Sequence, residues 1–237
     1  MKKISLVSFC LFLAFCHLIA ESMSFDINYI GVSVAKVNMS VSKDVFLIKA
    51  KSTNITNFLS DSIDNTYKIT FNDSFLPLTY EKNIIQTKYK EKSITAYNYD
   101  NASYKDLNTN AIYEYQIKPN SRDIFSTLIH LRRLNLKKDH AMNLEVNRNL
   151  WQVKSTFMKI EKVNTILGKK NCLLVKLDFK KSYLNNNSKS DILTNNLVNE
   201  NNSLYFWFTD DDQRIPIKAK YEMSPFSVIW LLTNYTN

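Results

Sequence analysis

The chain has 237 residues, a formal net charge of +9 and a hydrophobic content of 45%. This length suits a single β domain with a sizeable core. With three histidines and two glycines, the chain can build neither a histidine-rich metal site nor a glycine-rich phosphate loop.

Residues 1–20 predict a secretory signal. Lys2 and Lys3 form its basic start, an apolar run covers residues 4–15, and Ala20 is the small residue before the expected cleavage point. The run is short for a membrane span, although an uncleaved anchor is the alternative interpretation. We therefore expect a periplasmic or secreted mature chain that has no transmembrane span.

The mature chain, residues 21–237, is expected to form one β-rich domain. Phe15 precedes Cys16 where lipidation signals carry a small residue, so we do not expect a lipoprotein. Cys172 is the one cysteine left after cleavage, and no intramolecular disulfide can form. In an exported protein the basic charge favours a lipid or an anionic envelope polymer as partner over nucleic acid. A composition rich in Asn, Lys and Ile would give the same charge without any such partner.

Most of this domain alternates apolar and polar residues with the period of two that is typical of β-strands. Gly31 and Gly168 each predict a bend or a bulge. Up to residue 117 the predicted strands are two within residues 24–41 around Gly31, with the sequences FDINYIG and VAKVNMSV, and then 45–52, 67–71, 78–86, 93–99 and 111–117. Long strands with short polar turns predict an antiparallel meander. We expect it to curl into a barrel or a sandwich, because broad twisted sheets rarely stay open.

One segment breaks this period and predicts an amphipathic helix over about residues 121–136, packed against the sheet. Asn120 is its expected N-cap, with Asp123 three residues later in a capping-box arrangement. The apolar residues at helical spacing are Ile124, Phe125, Leu128, Ile129 and Leu131. The helix would plug one mouth of a barrel, lie on an anionic surface or cap the open end of the sheet. We favour the cap.

The end of this helix is basic, which suits the negative end of the helix dipole. The residues concerned are Arg132, Arg133, Lys137 and Lys138. His130 is expected to be a surface or packing residue and not a ligand.

Strands resume after the helix at residues 142–146, 151–163 and 169–180. Cys172 falls on the outward face of the last of these, and no nearby histidine or cationic cluster indicates a reactive thiol. Residues 185–202 read NNNSKSDILTNNLVNENN and predict a mobile low-complexity loop. Residues 226–235 predict a final strand.

Residues 204–221 have the clearest alternation in the chain and predict a β-hairpin. Asp210–Asp212 form its turn, where Asp side chains bond nearby backbone N–H groups. A calcium site is the alternative, but it needs about six to eight spaced oxygen ligands. Arg214 is expected to bond an Asp across the turn. Pro216 is expected on the water-facing side and, since it lacks an N–H, at an edge or a bulge.

Several short motifs occur in order along the chain. They are Tyr29–Gly31 (YIG), Arg122–Arg132 (RDIFSTLIHLR), Thr165–Gly168 (TILG) with the Cys172 strand, Trp207–Asp210 (WFTD) and Arg214–Ile217 (RIPI). In these motifs the mature chain resembles the exported bacterial proteins grouped as domain of unknown function 3108. It departs from that pattern at Ala35-Lys36, where a second glycine is usual, and in the Asn-rich loop, which resembles an insertion.

This resemblance implies a periplasmic, largely antiparallel β protein with a curved sheet and a helix against it, and it implies no known activity. The motif residues are expected to be structural. They are Gly31, Asp123, Arg132, Gly168, Trp207, Asp210, Arg214 and Pro216.

No catalytic, metal-binding or cofactor-binding residue is predicted, and no Gly-x-Ser-x-Gly motif is present. We expect a non-enzymatic binding module of the cell envelope that engages a lipid or an envelope polymer, because the strand at Trp207 is apolar on both faces. One alternative is a structural or assembly factor acting through surface contacts. Another is a polysaccharide-acting enzyme with paired carboxylates in a cleft. A cavity between the helix and the Trp207 hairpin would favour the binding module, and a packed interior would favour a surface role.

Overall fold

The computed structural model describes residues 21–53, 62–183, 191–222 and 226–237. The predicted signal, residues 1–20, lies outside them. The described residues form fourteen strands in one antiparallel sheet and two helices, so the mainly β fold class is confirmed. No helix in these ranges is both long and apolar enough to cross a membrane.

The strands follow the alternating segments of the sequence, and two helices interrupt them. The first eight strands are β1 (Glu21–Tyr29), β2 (Val32–Val41), β3 (Val45–Ser52), β4 (Ile63–Phe71), β5 (Pro77–Gln86), β6 (Lys90–Tyr97), β7 (Asn101–Asp106) and β8 (Ile112–Gln116). The later elements are α1 (Ile124–Leu131), β9 (His140–Val146), β10 (Asn149–Thr165), β11 (Gly168–Tyr183), α2 (Ile192–Leu197), β12 (Leu204–Thr209), β13 (Pro216–Glu222) and β14 (Ser227–Thr236).

The sheet is a meander in which the first and last strands meet in the middle. Its order is β8-β7-β6-β5-β4-β3-β2-β1-β14-β13-β12-β11-β10-β9. β1 pairs with β14, with Ser22 opposite Thr236 and Tyr29 opposite Val228. The sheet stays open between β8 and β9, and the connection between these two strands carries α1.

The sheet curls around α1. The ring of Phe125 lies 6.5 Å from that of Phe46 on β3, 4.9 Å from Tyr67 on β4 and 6.5 Å from Tyr80 on β5, measured between centroids. Phe125 also borders the same small void as Trp230 of β14. Strands from both halves of the sheet therefore contact the helix.

The predicted helix is confirmed, and the structure refines its bounds and its burial. α1 has eight residues, and all of them except His130 are buried. Because strands surround this helix on several sides, it has no broad face in contact with water. Its polar residues Ser126 and Thr127 are therefore also buried. Both hydroxyls donate to the backbone carbonyl of Asp123, at 3.2 and 2.8 Å.

Asp123 is the N-cap of α1, and the prediction of Asn120 is wrong. Oδ1 of Asp123 accepts bonds from the backbone N–H groups of Phe125 (2.8 Å) and Ser126 (3.0 Å). The helix cannot begin earlier because Arg122 forms a parallel bridge with Leu144 of β9, which keeps the preceding backbone extended.

Helix α2 lies within the predicted loop at residues 185–202. The described part of this loop begins at Asp191, the N-cap of α2, whose Oδ1 accepts a bond from the backbone N–H of Thr194 at 2.9 Å. The buried residues of α2 are Leu193, Thr194 and Leu197. The prediction of a loop is thus wrong for residues 192–197. The surrounding Asn residues gave the segment a polar composition, although its two leucines are at helical spacing. Residues 185–190 lie outside the described residues.

The predicted bends at Gly31 and Gly168 are confirmed. Both glycines have left-handed backbone, with φ of +75° and +84°, in the β1–β2 and β10–β11 turns. The bulge at Pro216 is also found, since the β12–β13 register shifts where Pro216 pairs with Phe208. Pro216 is buried, however, and not in water, because this shift breaks the alternation expected along the strand.

Candidate functional site

The two ends of the curled sheet are filled by different helices. We call one the α1 end, where the chain reverses at residues 72–76 and 210–215, and the other the α2 end, where it reverses at residues 30–31 and 147–148.

The family-motif residues do not converge on one site. Gly31 and Gly168 lie in turns at opposite ends of the sheet, and Asp123 and Arg132 cap the two ends of α1. The others, residues 207–216, belong to the β12–β13 hairpin.

Arg132 and Arg214 clamp the end of α1 to the hairpin. Nε of Arg132 donates to the carbonyl of Arg214, and Nη1 of Arg214 donates to the carbonyl of Arg132, both at 3.1 Å. Arg214 also donates to the carbonyl of Leu134. The other two guanidinium nitrogens of Arg132 each lie 2.6 Å from the carboxylate of Glu21. The side chain of Arg214 therefore bonds helix-end carbonyls, and the Asp of the turn that Arg214 bonds, Asp211, is reached by its backbone N–H instead.

Trp207 lies on the outer face of the sheet and is 7% exposed. Its indole N–H donates to Glu161, and the ammonium of Lys218 lies 4.5 Å from its ring centroid. A hydrogen bond from Lys159 is the largest of the contacts that lower the pKa of Glu161. The ring is thus covered by charged side chains.

The acidic turn is held by its own side chains. Oδ1 of Asp211 accepts bonds from the hydroxyl of Thr209 (2.6 Å) and the backbone N–H of Arg214 (3.1 Å), and Asp210 pairs with Lys137 at 3.2 Å. Within the described ranges no three His, Cys, Asp or Glu residues come together as metal ligands would.

The space between α1 and the β12–β13 hairpin is packed. The void there measures about 30 Å³ and is bordered by Phe125, Leu128, Phe206 and Pro216 among others. Since one water molecule occupies about 30 Å³ in the liquid, this volume holds no organic ligand.

A buried polar cluster, which the sequence did not predict, lies inside β5 and β6. We define it as Lys82, Glu91, Glu145, Asn147 and Asp191, and its four ionisable members are buried. Nζ of Lys82 lies 3.2 Å from Oδ2 of Asp191 and 3.9 Å from Oε2 of Glu91, and it donates to Asn147. Residues of β5, β6, the β9–β10 connection and the cap of α2 therefore meet at one ammonium group.

Tyrosine hydroxyls extend this cluster. Tyr67 donates to Asp191 at 2.7 Å and Tyr97 donates to Glu145 at 2.6 Å. Burial, followed by the neighbouring carboxylates, raises the pKa of both phenols well above the ordinary value. Both stay neutral donors at physiological pH.

The charge state of the cluster follows from burial and pairing. Burial by itself would lower the pKa of Lys82, but Asp191 and Glu91 outweigh it and raise that pKa. Burial would raise the pKa of Asp191, and Lys82 is the largest of the contacts that lower it instead. Burial also raises the pKa of Glu145. Since Asp191 is the N-cap of α2, its pairing with Lys82 fastens this helix inside the sheet.

Beside α2 lies an apolar groove of about 340 Å³ at the α2 end. Ile27 of β1, Ile63 of β4, Leu197 of α2 and Trp230 of β14 are among the residues that line it. The other lining residues are Tyr29, Val34, Ala35, Ser52, Ile192, Leu193, Asn196, Tyr221 and Val228, so none carries a charge. The groove offers an apolar ligand a wall of hydrocarbon, and α2, which the polar cluster fastens, forms one side of it.

Sequence patterns gave little indication of the buried polar cluster or of the apolar groove. In β6 the inward set is Glu91, Ser93, Thr95 and Tyr97, so burial does not follow hydrophobicity there. The groove takes residues from separate strands and from α2. The local signal was the pair of apolar dipeptides, Ile192-Leu193 and Leu197-Val198, inside an otherwise polar loop.

A family model described as a protein of unknown function, DUF3108, matches residues 24–225. Among solved structures, the chain is similar to a β-barrel-like protein of domain of unknown function DUF1849 from Brucella abortus. The two share 9% identity with a TM-score of 0.59, over 92% of this chain and 97% of that chain. This likeness shows the fold alone.

Two further solved structures overlap less closely. One is from Bacteroides fragilis and is described as exported with a YmcC-like fold, at 12% identity and a TM-score of 0.33 over 92% of this chain and 95% of that chain. The other is from Parabacteroides distasonis and is described as a lipoprotein, at 9% identity and a TM-score of 0.36 with the same coverage. No curated protein matches the chain.

Proposed function

This chain belongs to the family of proteins of unknown function DUF3108, and we propose that it is a non-enzymatic binding module of the cell envelope that holds the acyl part of a lipid. The apolar groove at the α2 end is the observation that carries this proposal. Its volume of about 340 Å³ falls in the range of known ligand pockets, roughly 300–1,000 Å³.

The chemistry of the groove favours hydrocarbon over polymer. Ile27 and Trp230 are buried in its wall, and uncharged residues form the rest of the lining. Transfer of an acyl chain from water to such a wall is favourable, whereas an ionic group would lose its hydration there without finding a partner. These observations support an acyl ligand in this groove and not between α1 and the Trp207 hairpin, where the space is packed.

The predicted export of the chain supports a place in the envelope. The basic start and apolar run of residues 1–20 are the features of a secretory signal. A periplasmic or secreted protein works beside membranes, where lipid is the abundant apolar ligand.

The contacts of the basic residues 132–138 argue against the alternative, an assembly factor that acts through this surface. Arg132 is bound to Glu21, and Lys137 is paired with Asp210. Arg133 stacks 3.8 Å over the ring of Phe75. Two of these charges are met within the chain, so the segment offers a partner less net charge than the sequence indicates.

The single free thiol and the histidine of α1 favour a non-enzymatic role. Burial raises the pKa of the Cys172 thiol to about 11. Burial, then the charges of Arg122 and His140, lowers the pKa of His130 to about 4. A protonated thiol and a weakly basic imidazole are poor starting points for nucleophilic or acid–base chemistry at neutral pH.

Filling the groove tests the proposal. In residues 21–237, Val228→Trp and Ile63→Trp place a large ring in the groove, and Ile85→Trp puts the same ring at a site outside it that is 46% exposed. We expect the unaltered protein and Ile85→Trp to bind a fluorescent fatty acid in solution. Each groove variant should bind at least about tenfold more weakly, a loss of roughly 1.4 kcal/mol of apolar contact.

Native mass spectrometry of the purified protein supplies an independent readout of co-purified lipid. The proposal is contradicted if the unaltered protein takes up no fatty acid, or if the groove variants bind it as tightly as Ile85→Trp. Thermal unfolding of all variants controls for loss of fold.

A further inference from the structure

We propose that the mouth of the apolar groove docks on the surface of a lipid bilayer through an apolar rim formed by Tyr29, Ile30, Val32 and Phe226. This inference rests on the proposed function, since it names the place where a lipid enters the groove.

The rim exposes apolar side chains side by side. Ile30 is 58% exposed, Val32 is 42% exposed and Phe226 is 46% exposed. Tyr29 pairs with Val32 in the β1–β2 hairpin, and its ring meets that of Phe226 edge-on at 6.1 Å. The four residues thus form one patch and not scattered exposed positions.

The patch is continuous with the groove. Tyr29 lines the groove and belongs to the rim as well. Its partner across the β1–β14 ladder is Val228, which also lines the groove. An acyl chain can therefore pass from the rim to the groove without leaving apolar surface.

The backbone at the tip of the rim argues that an apolar side chain is needed there. Ile30 has φ of +51° and is followed by Gly31 at +75°, so both residues of this two-residue turn are left-handed. Asn followed by Gly is the preferred pair for such a turn, and β-branched side chains are outliers in this region. Backbone preference disfavours Ile30, which leaves its exposed apolar side chain as the feature to explain.

A bilayer fits this patch better than a protein partner. The rim residues carry no charge, so they offer no ionic group for the pairing that fixes a specific protein contact. A hydrocarbon chain released from the groove into water would lose its apolar contacts, and direct contact with a bilayer avoids that loss. Without Lys2 and Lys3, residues 21–237 carry a formal net charge of +7, which adds attraction to anionic head groups.

Vesicle flotation tests the docking. Residues 21–237 are mixed with vesicles of phosphatidylethanolamine and phosphatidylglycerol and separated on a density gradient. We expect the unaltered protein to float with the vesicles. Phe226→Ser and Ile30→Asn should each lower the vesicle partition coefficient about fivefold, because each removes an apolar side chain that is half-exposed before docking.

The chain offers matched controls at the opposite end. Tyr99 is 74% exposed and Ile166 is 51% exposed, both in turns at the α1 end, so Tyr99→Ser and Ile166→Asn remove comparable apolar surface away from the rim. These variants should float like the unaltered protein. Ile30→Asn also relieves an unfavourable backbone, so its thermal midpoint should not fall and a loss of flotation cannot be ascribed to unfolding.

The outcomes separate this inference from the proposed function. Absence of flotation, equal flotation of rim and control variants, or binding that high salt abolishes equally in all variants would overturn the docking. Flotation that depends on the rim supports the docking even if no fatty acid binds in solution. A failure to bind fatty acid would contradict only the proposed ligand. Fatty-acid binding by a protein that never floats would keep the ligand and remove the bilayer.

Discussion

Lys82 is the residue on which the polar interior depends. Its side chain is 7% exposed and its ammonium faces the carboxylates of Asp191 and Glu91. A buried ammonium without partners would cost several kcal/mol, so these contacts compensate its burial and do not add a large surplus of stability. They also fix where α2 lies, because Asp191 is its N-cap.

Substitutions at Lys82 and Asp191 should reveal this compensation. Asp191→Asn keeps an oxygen for the cap of α2 but removes the charge opposite Lys82, so we expect the free energy of unfolding to fall by about 3 kcal/mol. Lys82→Met combined with Asp191→Asn should recover part of that loss, because no unpaired ammonium remains. Urea unfolding of the three proteins measures both effects. A double variant that is less stable than Asp191→Asn would show that the ammonium contributes in some other way.

At the scale of elements, α1 is held at both ends by side chains far apart in sequence. Asp123 caps its first turn, and Arg214 of the hairpin binds the carbonyls after its last turn. Burial raises the pKa of Asp123, and its Oδ2 is buried without a hydrogen-bond partner in the structure. Both bonds of the cap run to Oδ1, which leaves the buried charge as a separate contribution to stability.

Two substitutions separate these contributions. Asp123→Ala removes the acceptor for the N–H groups of Phe125 and Ser126, and we expect it to lower the free energy of unfolding by about 1–2 kcal/mol. Asp123→Asn keeps the acceptor and removes a buried carboxyl, so its stability should equal or exceed that of the unaltered protein. Thermal or urea unfolding at neutral pH makes the comparison. Equal losses in both variants would mean that the charge itself is required.

For the whole molecule, the pairing of β1 with β14 joins the two halves of the sheet. Ser22 and Thr236 share a hydrogen bond of 2.6 Å between their hydroxyls, so the two ends of the sheet-forming chain are adjacent. The gap in the sheet lies elsewhere, between β8 and β9. The continuity of the fold therefore depends on a contact between residues that are distant in sequence.

A circular permutant tests this view. A short Gly-Ser linker joins residue 237 to residue 21, and new ends are opened in the exposed turn between Asn108 and Thr109. We expect the thermal midpoint to stay within about 4 °C of the original, equivalent to roughly 1 kcal/mol for a chain of this size. Deletion of residues 226–237 removes β14 and should leave insoluble protein, because β14 is the strand that joins β1 to β13. A soluble, cooperatively folded deletion variant would contradict this role for β14.

The local sequence pattern was sufficient to predict an element wherever the buried residues of that element are the hydrophobic ones. The alternation of apolar residues placed most strands, Gly31 and Gly168 marked turns, and helical spacing located α1, since each of these depends on neighbours within a few residues. β7, with the sequence NASYKD, was missed because its mixed polar side chains give no clear alternation.

The tertiary structure decided what long-range contacts control. The sequence alone determined an antiparallel β protein with a helix after residue 120 and a signal-like start. It could not place the polar cluster, because Lys82 meets Asn147 and Asp191 across separations of 65 and 109 residues. It could not place the groove either, since β1, β4, β14 and α2 become neighbours only when the sheet curls. Packing, which joins residues regardless of their distance along the chain, therefore created the candidate site.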